Sequence, residues 1–283
     1  MKLVEKPRIV VLGASGFFGR HVCTELVRRG QSVVAMTRSR PPASSPGVEW
    51  HEVTAYGGLD RLSADACVHL AEPNVVSGSG FARDNFDRAA AVLATPFRRI
   101  VYVSSAVVYG DEVATPRRED EPVDPTSEYG RSKLAIEQQM AANERCVIAR
   151  VANAYGPGMS PANVLSDILS QLASPGPLRL RDLDPVRDYV HVVDVARAIA
   201  DLIACSMIGI VNIGTGIGTS VGTLARLATT LAGQPSRDLV GAQATGRAST
   251  LVVAIDRAQR ELHWQPAVPL IEGVSELIGE HKP

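Results

Sequence analysis

Short apolar runs recur along the chain, separated by stretches in which apolar residues return every three or four positions. Residues 8–13 (RIVVLG), 32–37 (SVVAMT), 66–71 (ACVHLA), 99–105 (RIVYVSS) and 145–151 (RCVIARV) are largely apolar and rich in Val. Runs of this length without polar alternation predict strands buried on both faces. Segments with helical periodicity lie between several of them, at 17–29, 81–94 and 127–142. Such strand–helix alternation predicts a doubly wound α/β fold, a parallel sheet with right-handed crossovers.

After about residue 155 the rhythm loosens, and Pro and Gly become frequent (YGPGMSP, SPGPLRL). The expected division is a larger α/β domain over 1–155 and a smaller C-terminal lobe over 156–283. Neither a repeat nor a low-complexity linker separates them, so the two are expected to intertwine and share a cleft. Residues 40–47 (RPPASSPG) predict a loop.

Composition narrows the function classes. The chain has 283 residues, 45% of them hydrophobic and 21% charged, with a net charge of −1. That suits a soluble globular protein with a large core and gives no basic field for nucleic acid or a membrane surface. An anionic ligand must then be held by a few local cations. Cys23, Cys67, Cys146 and Cys205 sit among apolar residues without a C-x-x-C pair, which predicts buried reduced thiols. No apolar run reaches the ~18 residues of a membrane span. The first strand begins within eight residues of the start, leaving no room for a leader, so a cytoplasmic protein is expected. No His/Asp/Glu/Cys cluster has metal-ligand spacing, so no metal is expected.

Candidate chemistry begins at VLGASGFFGRHV, where Gly13, Gly16 and Gly19 follow the first strand and open a helix. Glycines there allow backbone amides to approach a pyrophosphate, and a helix N-terminus favours its charge. The spacing is G-x-x-G-x-x-G rather than the commoner G-x-G-x-x-G. The second strand ends MTRSR, with Thr37, Arg38, Ser39 and Arg40 and no acid. An acid there would accept from an NAD ribose hydroxyl, whereas Arg suits the 2′-phosphate of NADP. NADP is therefore favoured over NAD. Further on, YGRSK places Tyr129 and Lys133 four residues apart, one turn of helix and one face. Alone, that spacing also fits an ordinary helix surface.

The ordered set of GASGFFG, HLAEP, VSSAVVYG, YGRSK, RVANAYGPG, RDYVHVVDVA, VNIGTG and DRAQRELHWQP resembles the extended short-chain dehydrogenase/reductase family. Within it the likeness is to the NAD(P)-dependent epimerases, dehydratases and reductases of nucleotide sugars. The last segment carries His263 where the family usually has Gly. The resemblance covers nearly the whole chain and implies a Rossmann-like fold. It implies cofactor contacts from Gly13, Ser15, Gly16, Phe17, Phe18, Gly19, Thr37, Arg38, Ser39, Leu70, Ala71, Tyr129 and Lys133. It also implies that Tyr129 handles the proton on the sugar oxygen, and that Lys133 lowers the phenol pKa from its ordinary value near 10 while holding the nicotinamide ribose. Ser105 would hydrogen-bond the same oxygen, and Asn85 would complete a proton relay. Asn153, Arg187 and Arg247 would contact the phosphates of a nucleoside-diphosphate sugar, where an Arg fork grips oxygens in pairs. His191 and Asp194 read as structural. Pairing of helices 81–94 and 127–142 would make a homodimer, as the family often does.

Departures from the family choose among reactions. Its dehydratases place an Asp–Glu pair just after the strand-five Thr or Ser, and here those positions are Ala106 and Val107. Elimination of water is therefore not expected, and the decarboxylases' Glu is missing too. What remains is hydride transfer without elimination. The favoured expectation is a 4-ketoreductase of an NDP-4-keto-6-deoxyhexose, because a reductase consumes NADPH. The alternative is an NAD-dependent 4-epimerase, and a third is a non-catalytic dinucleotide sensor.

Overall fold

In the computed structural model, residues 7–38, 46–53, 58–72, 81–243 and 249–280 are described. The first half of the chain runs β1 (Arg8–Leu12), α1 (Phe17–Arg28), β2 (Ser32–Thr37), β3 (Val48–Glu52), β4 (Ala66–His69), α2 (Phe81–Ala94), β5 (Arg99–Ser105), α3 (Glu128–Ala141) and β6 (Cys146–Val151). Then follow β7 (Asn153–Tyr155), α4 (Val164–Gln171), β8 (Leu178–Leu180), β9 (Val186–His191), α5 (Val192–Ala204), β10 (Gly209–Ile213) and β11 (Gly218–Ser220). The chain closes with α6 (Val221–Leu231), β12 (Leu239–Gly241), β13 (Thr250–Leu251), α7 (Asp256–Leu262) and α8 (Leu270–Glu280).

Seven strands form one sheet in the order β10-β6-β5-β4-β1-β2-β3, with every neighbouring pair parallel. The expected doubly wound sheet is therefore present. Alternate residues of each strand feed two cores. Ile9, Val11, Val101, Val103 and Val147 pack with Val22 and Leu26 of α1 and Val195 and Ile199 of α5. Val10, Leu12, Ile100, Tyr102 and Ile148 pack with Ala89 and Val92 of α2 and Ile136 and Met140 of α3. Burial on both faces explains why these strands read as unbroken apolar runs.

Beyond residue 155 the chain moves between the lobes. α4, β8, α6 and α8 surround a third core containing Leu165, Ile168, Leu178, Leu224 and Val274. α5 and β10 return to the large sheet, where Gly209 pairs with Val147. A smaller sheet is centred on β9, flanked by β11 and β13 and also paired with β7. Asp188, fully buried on β9, accepts from the Thr215 and Gly216 amides at 2.8 and 3.0 Å and so locks the VNIGTG turn to this sheet. His191 and Asp194 have the structural roles expected of them. His191 caps α5 by accepting from the Val193 amide at 3.4 Å, and Asp194 accepts from the Ala267 and Val268 amides.

The four cysteines are free thiols. Among the described residues, no helix is long and apolar enough to cross a membrane.

Candidate active site at the strand ends

The glycine loop joins β1 to α1 across the carboxyl end of the sheet. Gly13 takes φ +81°, in the left-handed region, and a Cβ there would meet Ala71 backbone at 3.0 Å. The ends of β1 and β4 thus come together at Gly13 and Leu70–Ala71, where the Leu70 amide donates to Leu12 at 3.0 Å. At Gly19 a Cβ would lie 2.2 Å from the Gly13 carbonyl oxygen, so the first turn of α1 rests directly on the loop. Gly16 is the N-cap, without a side chain to satisfy the first amides, and no acid stands in the first turn of α1. That leaves a helix N-terminus fitted to an anion, and the loop fits a dinucleotide pyrophosphate. Thr37 Oγ1 donates to Ser15 Oγ at 2.8 Å, tying the loop to the end of β2. Phe17 and Phe18 stack with ring centres 5.3 Å apart, and Phe18 packs onto the first core. Arg38 follows β2 and is exposed. Ser39 and Arg247 lie outside the described residues.

Ser105 ends β5, and Tyr129 and Lys133 lie on α3. Ser127 caps α3 by accepting from the Gly130 amide at 3.0 Å. A Cβ on Gly130 would meet Pro125 at 2.8 Å and the Val107 carbonyl at 3.3 Å, so only glycine lets α3 lie this close to the turn after β5. That approach seats the start of α3 against the turn after β5, and it is a role of the glycine after Tyr129 that the Tyr–Lys spacing did not announce. Ser105 Oγ accepts from the Val107 amide at 3.3 Å, capping a short 3₁₀ turn. Its own O–H still can donate to a second oxygen. Lys133, one turn along α3 from Tyr129, donates to the Val103 carbonyl at 2.9 Å, and its Nζ lies 5.8 Å from the Tyr129 ring centre.

Asn85 on α2 is buried. Its amide donates to Ser132 Oγ at 3.4 Å, and its oxygen accepts from Arg88 at 2.7 Å. Arg88 in turn donates to the Ala71 carbonyl at 2.9 Å. Asn85 thereby connects α2, α3 and the end of β4.

Sequence reasoning missed a carboxylate beside the lysine. Glu72 Oε2 lies 2.6 Å from Lys133 Nζ, with the two side chains 2% and 7% exposed. Tyr102 on β5 donates to the same oxygen at 3.1 Å. Burial opposes the charged form of Glu72, but Lys133 above all, with His69 and Tyr102, outweighs it and holds the carboxyl below its usual range. Burial likewise opposes the Lys133 ammonium, and Tyr129 and Glu72 outweigh it and hold its pKa above the ordinary value. His69, on β4, is pushed down to about 4 by burial, against the pull of Glu72, and so is neutral at pH 7. Glu72 was visible only as the fourth letter of HLAEP, where no spacing rule marks it.

In the smaller sheet, Asn153 is exposed on β7 and Arg187 is half-buried on β9. Arg187 donates to Ser249 Oγ at 2.8 Å and to the Ser249 carbonyl at 3.0 Å, and it faces Asp111 Oδ2 at 3.3 Å. The guanidinium is thus braced by the segment after β5 and the segment before β13. A cleft of about 970 Å³ opens near α4, lined by Met159, Asn163, Ser166, Arg181 and Asp182 among others. Tyr129, Ser105 and Arg187 are not on its wall. α1 is tied to the same region, with His21 Nε2 2.9 Å from the Pro157 carbonyl. Among the described residues, no group of three or more His, Cys, Asp or Glu is placed to hold a metal ion.

A parallel seven-stranded sheet, a glycine loop ahead of α1 and a Tyr–Lys pair beside the end of β5 define the class, the extended short-chain dehydrogenases/reductases. Residues 9–214 match the model of the NAD dependent epimerase/dehydratase family, and the chain belongs to that family. It is similar to the UDP-glucose 4-epimerase of Halalkalibacterium halodurans, at 27% identity over 95% of this chain and 93% of that protein. It is also similar to the dTDP-6-deoxy-L-talose 4-dehydrogenase (NAD(P)(+)) of Kitasatospora kifunensis, at 29% identity over 95% and 94% of the two chains. The crystal structure of UDP-glucose 4-epimerase with UDP-glucose from Thermotoga maritima superposes with a TM-score of 0.84, at 25% identity and covering 96% and 97% of the two chains.

Proposed function

We propose that the protein exchanges hydride at C4 of a nucleoside-diphosphate sugar, and that it does so as the reductase of a 4-keto-6-deoxy sugar. The observation that carries this reading is the Lys133–Tyr129 pair, anchored by the Val103 carbonyl on the strand that ends in Ser105, and it is supported by apolar Ala106 and Val107 where elimination would need an acid and a base. The dinucleotide, when bound, supplies the hydride to the carbonyl carbon.

Tyr129 Oη gives its proton to the carbonyl oxygen as the carbon receives hydride, so the ketone becomes a secondary alcohol and the phenol is left as an oxyanion. Lys133 balances that charge from one turn away, and its position is fixed by the Val103 carbonyl. Ser105 donates its O–H to the same substrate oxygen while its lone pairs keep the Val107 amide. Asn85 acts on α3 through Ser132 and holds the helix in place. Arg187, presented by β9 toward Asp111 and Ser249, is the cation assigned to the substrate diphosphate, with Asn153 beside it on β7 and Arg247 as a further candidate. An exposed Arg38 directly after β2 supports NADP.

The second reading is a 4-epimerase retaining NAD, favoured by the likeness to the UDP-glucose 4-epimerase of H. halodurans. The purified protein discriminates between the two. NAD released on denaturation indicates the epimerase, whereas an empty site that prefers NADPH and consumes it with a keto-sugar nucleotide indicates the reductase. Dinucleotide binding with no turnover of any nucleotide sugar would overturn both readings and leave a sensor.

A further inference from the structure

Lys133 is the only lysine between residues 7 and 281; the others are Lys2, Lys6 and Lys282. Every other internal cation is Arg, so the use of an ammonium at this one place follows from the site rather than from composition. An ammonium has three N–H donors. Among the described contacts, one goes to the Val103 carbonyl and one to Glu72 Oε2, leaving one for Tyr129 or a ligand hydroxyl.

Glu72 is poorly explained as a stabilising ion pair. Its Oε2 accepts from both Lys133 and Tyr102, yet among the described residues its buried Oε1 has no hydrogen-bond partner. His69 Nε2 is 3.9 Å from Oε1 and is also without one. The Ala71 amide donates to His69 Nδ1, so the imidazole proton sits on Nε2 and faces Glu72 across that gap. A buried carboxylate satisfied on one side only costs stability, and such costs persist where function needs the charge. An apolar residue in this pocket would leave a buried ammonium with one carbonyl and, among the described residues, no carboxylate in contact, and a lysine so placed loses its proton more readily.

We infer that Glu72 is a positioning residue that keeps Lys133 charged and aimed beneath Tyr129, in the cofactor-free protein as well as during turnover. The inference rests on the proposed function for what the charge is used for, but not for the state of the lysine. The groups around the ammonium are Tyr129 and Glu137 on α3, Tyr102 on β5, and His69 and Glu72 at the end of β4, with Arg88 of α2 beyond His69. Among the described residues, only Glu72 places a carboxylate oxygen in direct contact with Nζ. Without it, the ammonium keeps only the Val103 carbonyl among its described hydrogen-bond partners and gives up its proton more readily. Tyr129 would then face an amine that neither balances an oxyanion nor restores the proton given up.

The test is a pH titration of lysine side chains by carbon-13 NMR on the cofactor-free full chain, where four lysines give four signals and Lys133→Arg assigns the internal one. Glu72→Gln should lower the Lys133 midpoint by about one pH unit or more, a tenfold change in its proton equilibrium. Glu72→Asp should fall between it and wild type. The rate–pH profile should lose its plateau at correspondingly lower pH in Glu72→Gln, a shift that general loosening of the fold would not give. A Lys133 midpoint equal to that of wild type overturns the inference, as does a lysine that stays charged while tyrosinate absorbance appears in its place. Should Glu72→Gln not fold, wild type alone still decides. Lys133 should titrate above the ordinary lysine value, and a midpoint below that value refutes the assignment. A shifted midpoint with no keto-sugar nucleotide turned over would sink the oxidoreductase reading and leave this one standing.

Discussion

Gly19→Ala probes the dinucleotide loop at its tightest point. The added Cβ would stand 2.2 Å from the Gly13 carbonyl oxygen and 2.5 Å from Ala14 Cα, both backbone atoms that cannot rotate away. Ordinary contact begins at 3.4 Å, so α1 must retreat by about 1 Å or the loop must open by as much. Overpacking of this kind costs about 1–3 kcal/mol. For a chain of this size, that corresponds to a fall in Tm of about 2–6 °C. The same retreat carries the open N-terminus of α1 away from a phosphate, and a loss of about 2–3 kcal/mol there raises the dinucleotide Kd roughly 30- to 150-fold. Gly16→Ala is the stability control, because its Cβ would lie 3.2 Å from the same oxygen and should shift Tm far less. Thermal unfolding and a nucleotide fluorescence titration read both effects. A Gly19→Ala protein with wild-type Tm that binds NADPH or NAD within about twofold of wild type would refute the packing argument and the placement of the dinucleotide.

Other expectations follow from the same geometry. Gly130→Ala should push α3 away from Pro125 and Val107, lowering kcat about tenfold or more with dinucleotide affinity little changed, as measured by steady-state rates beside a binding titration. His69 should make the protein acid-sensitive. Its folded pKa of about 4 lies below the unfolded ~6.5, so the unfolded chain binds the extra proton and stability falls as pH drops from about 6.5 toward 4. The loss approaches about 1.4 kcal/mol per pH unit in the middle of that window, and His69→Gln, though less stable at pH 7, should show a shallower fall in Tm over the same range. Equal slopes for the two proteins would remove His69 from the account.

Much of the fold was legible because burial on both faces leaves an unmistakable mark. β1, β2, β4, β5 and β6 were each readable as apolar runs, and α2 spans Phe81–Ala94 as its periodicity predicted. β3 was not, since VEWHE at the sheet edge is half-exposed and mixes charge with apolar residues. β10 was seen only as a motif; its pairing with β6 joins Gly209 to Val147, and no local pattern encodes so distant a partner. His263, noted as a departure from Gly, adopts φ +52° at the end of α7, which explains why the family prefers glycine there. Within the site, Tyr129, Lys133 and Ser105 were readable by likeness of motif. Glu72, Tyr102 and His69 were not, because what distinguishes them is distance to Nζ, a property of the folded chain.

The central claim is that Tyr129 protonates a sugar oxygen while a dinucleotide supplies hydride to the adjacent carbon. Its most direct test follows the loss of nicotinamide absorbance when NADPH and a panel of 4-keto-6-deoxy nucleotide sugars are mixed with wild type and with Tyr129→Phe. The account predicts consumption of NADPH with at least one member of the panel, formation of the corresponding 4-hydroxy sugar, and turnover about 10²- to 10⁴-fold slower in Tyr129→Phe at similar NADPH affinity. Near-normal turnover by Tyr129→Phe on a substrate that wild type reduces would contradict it.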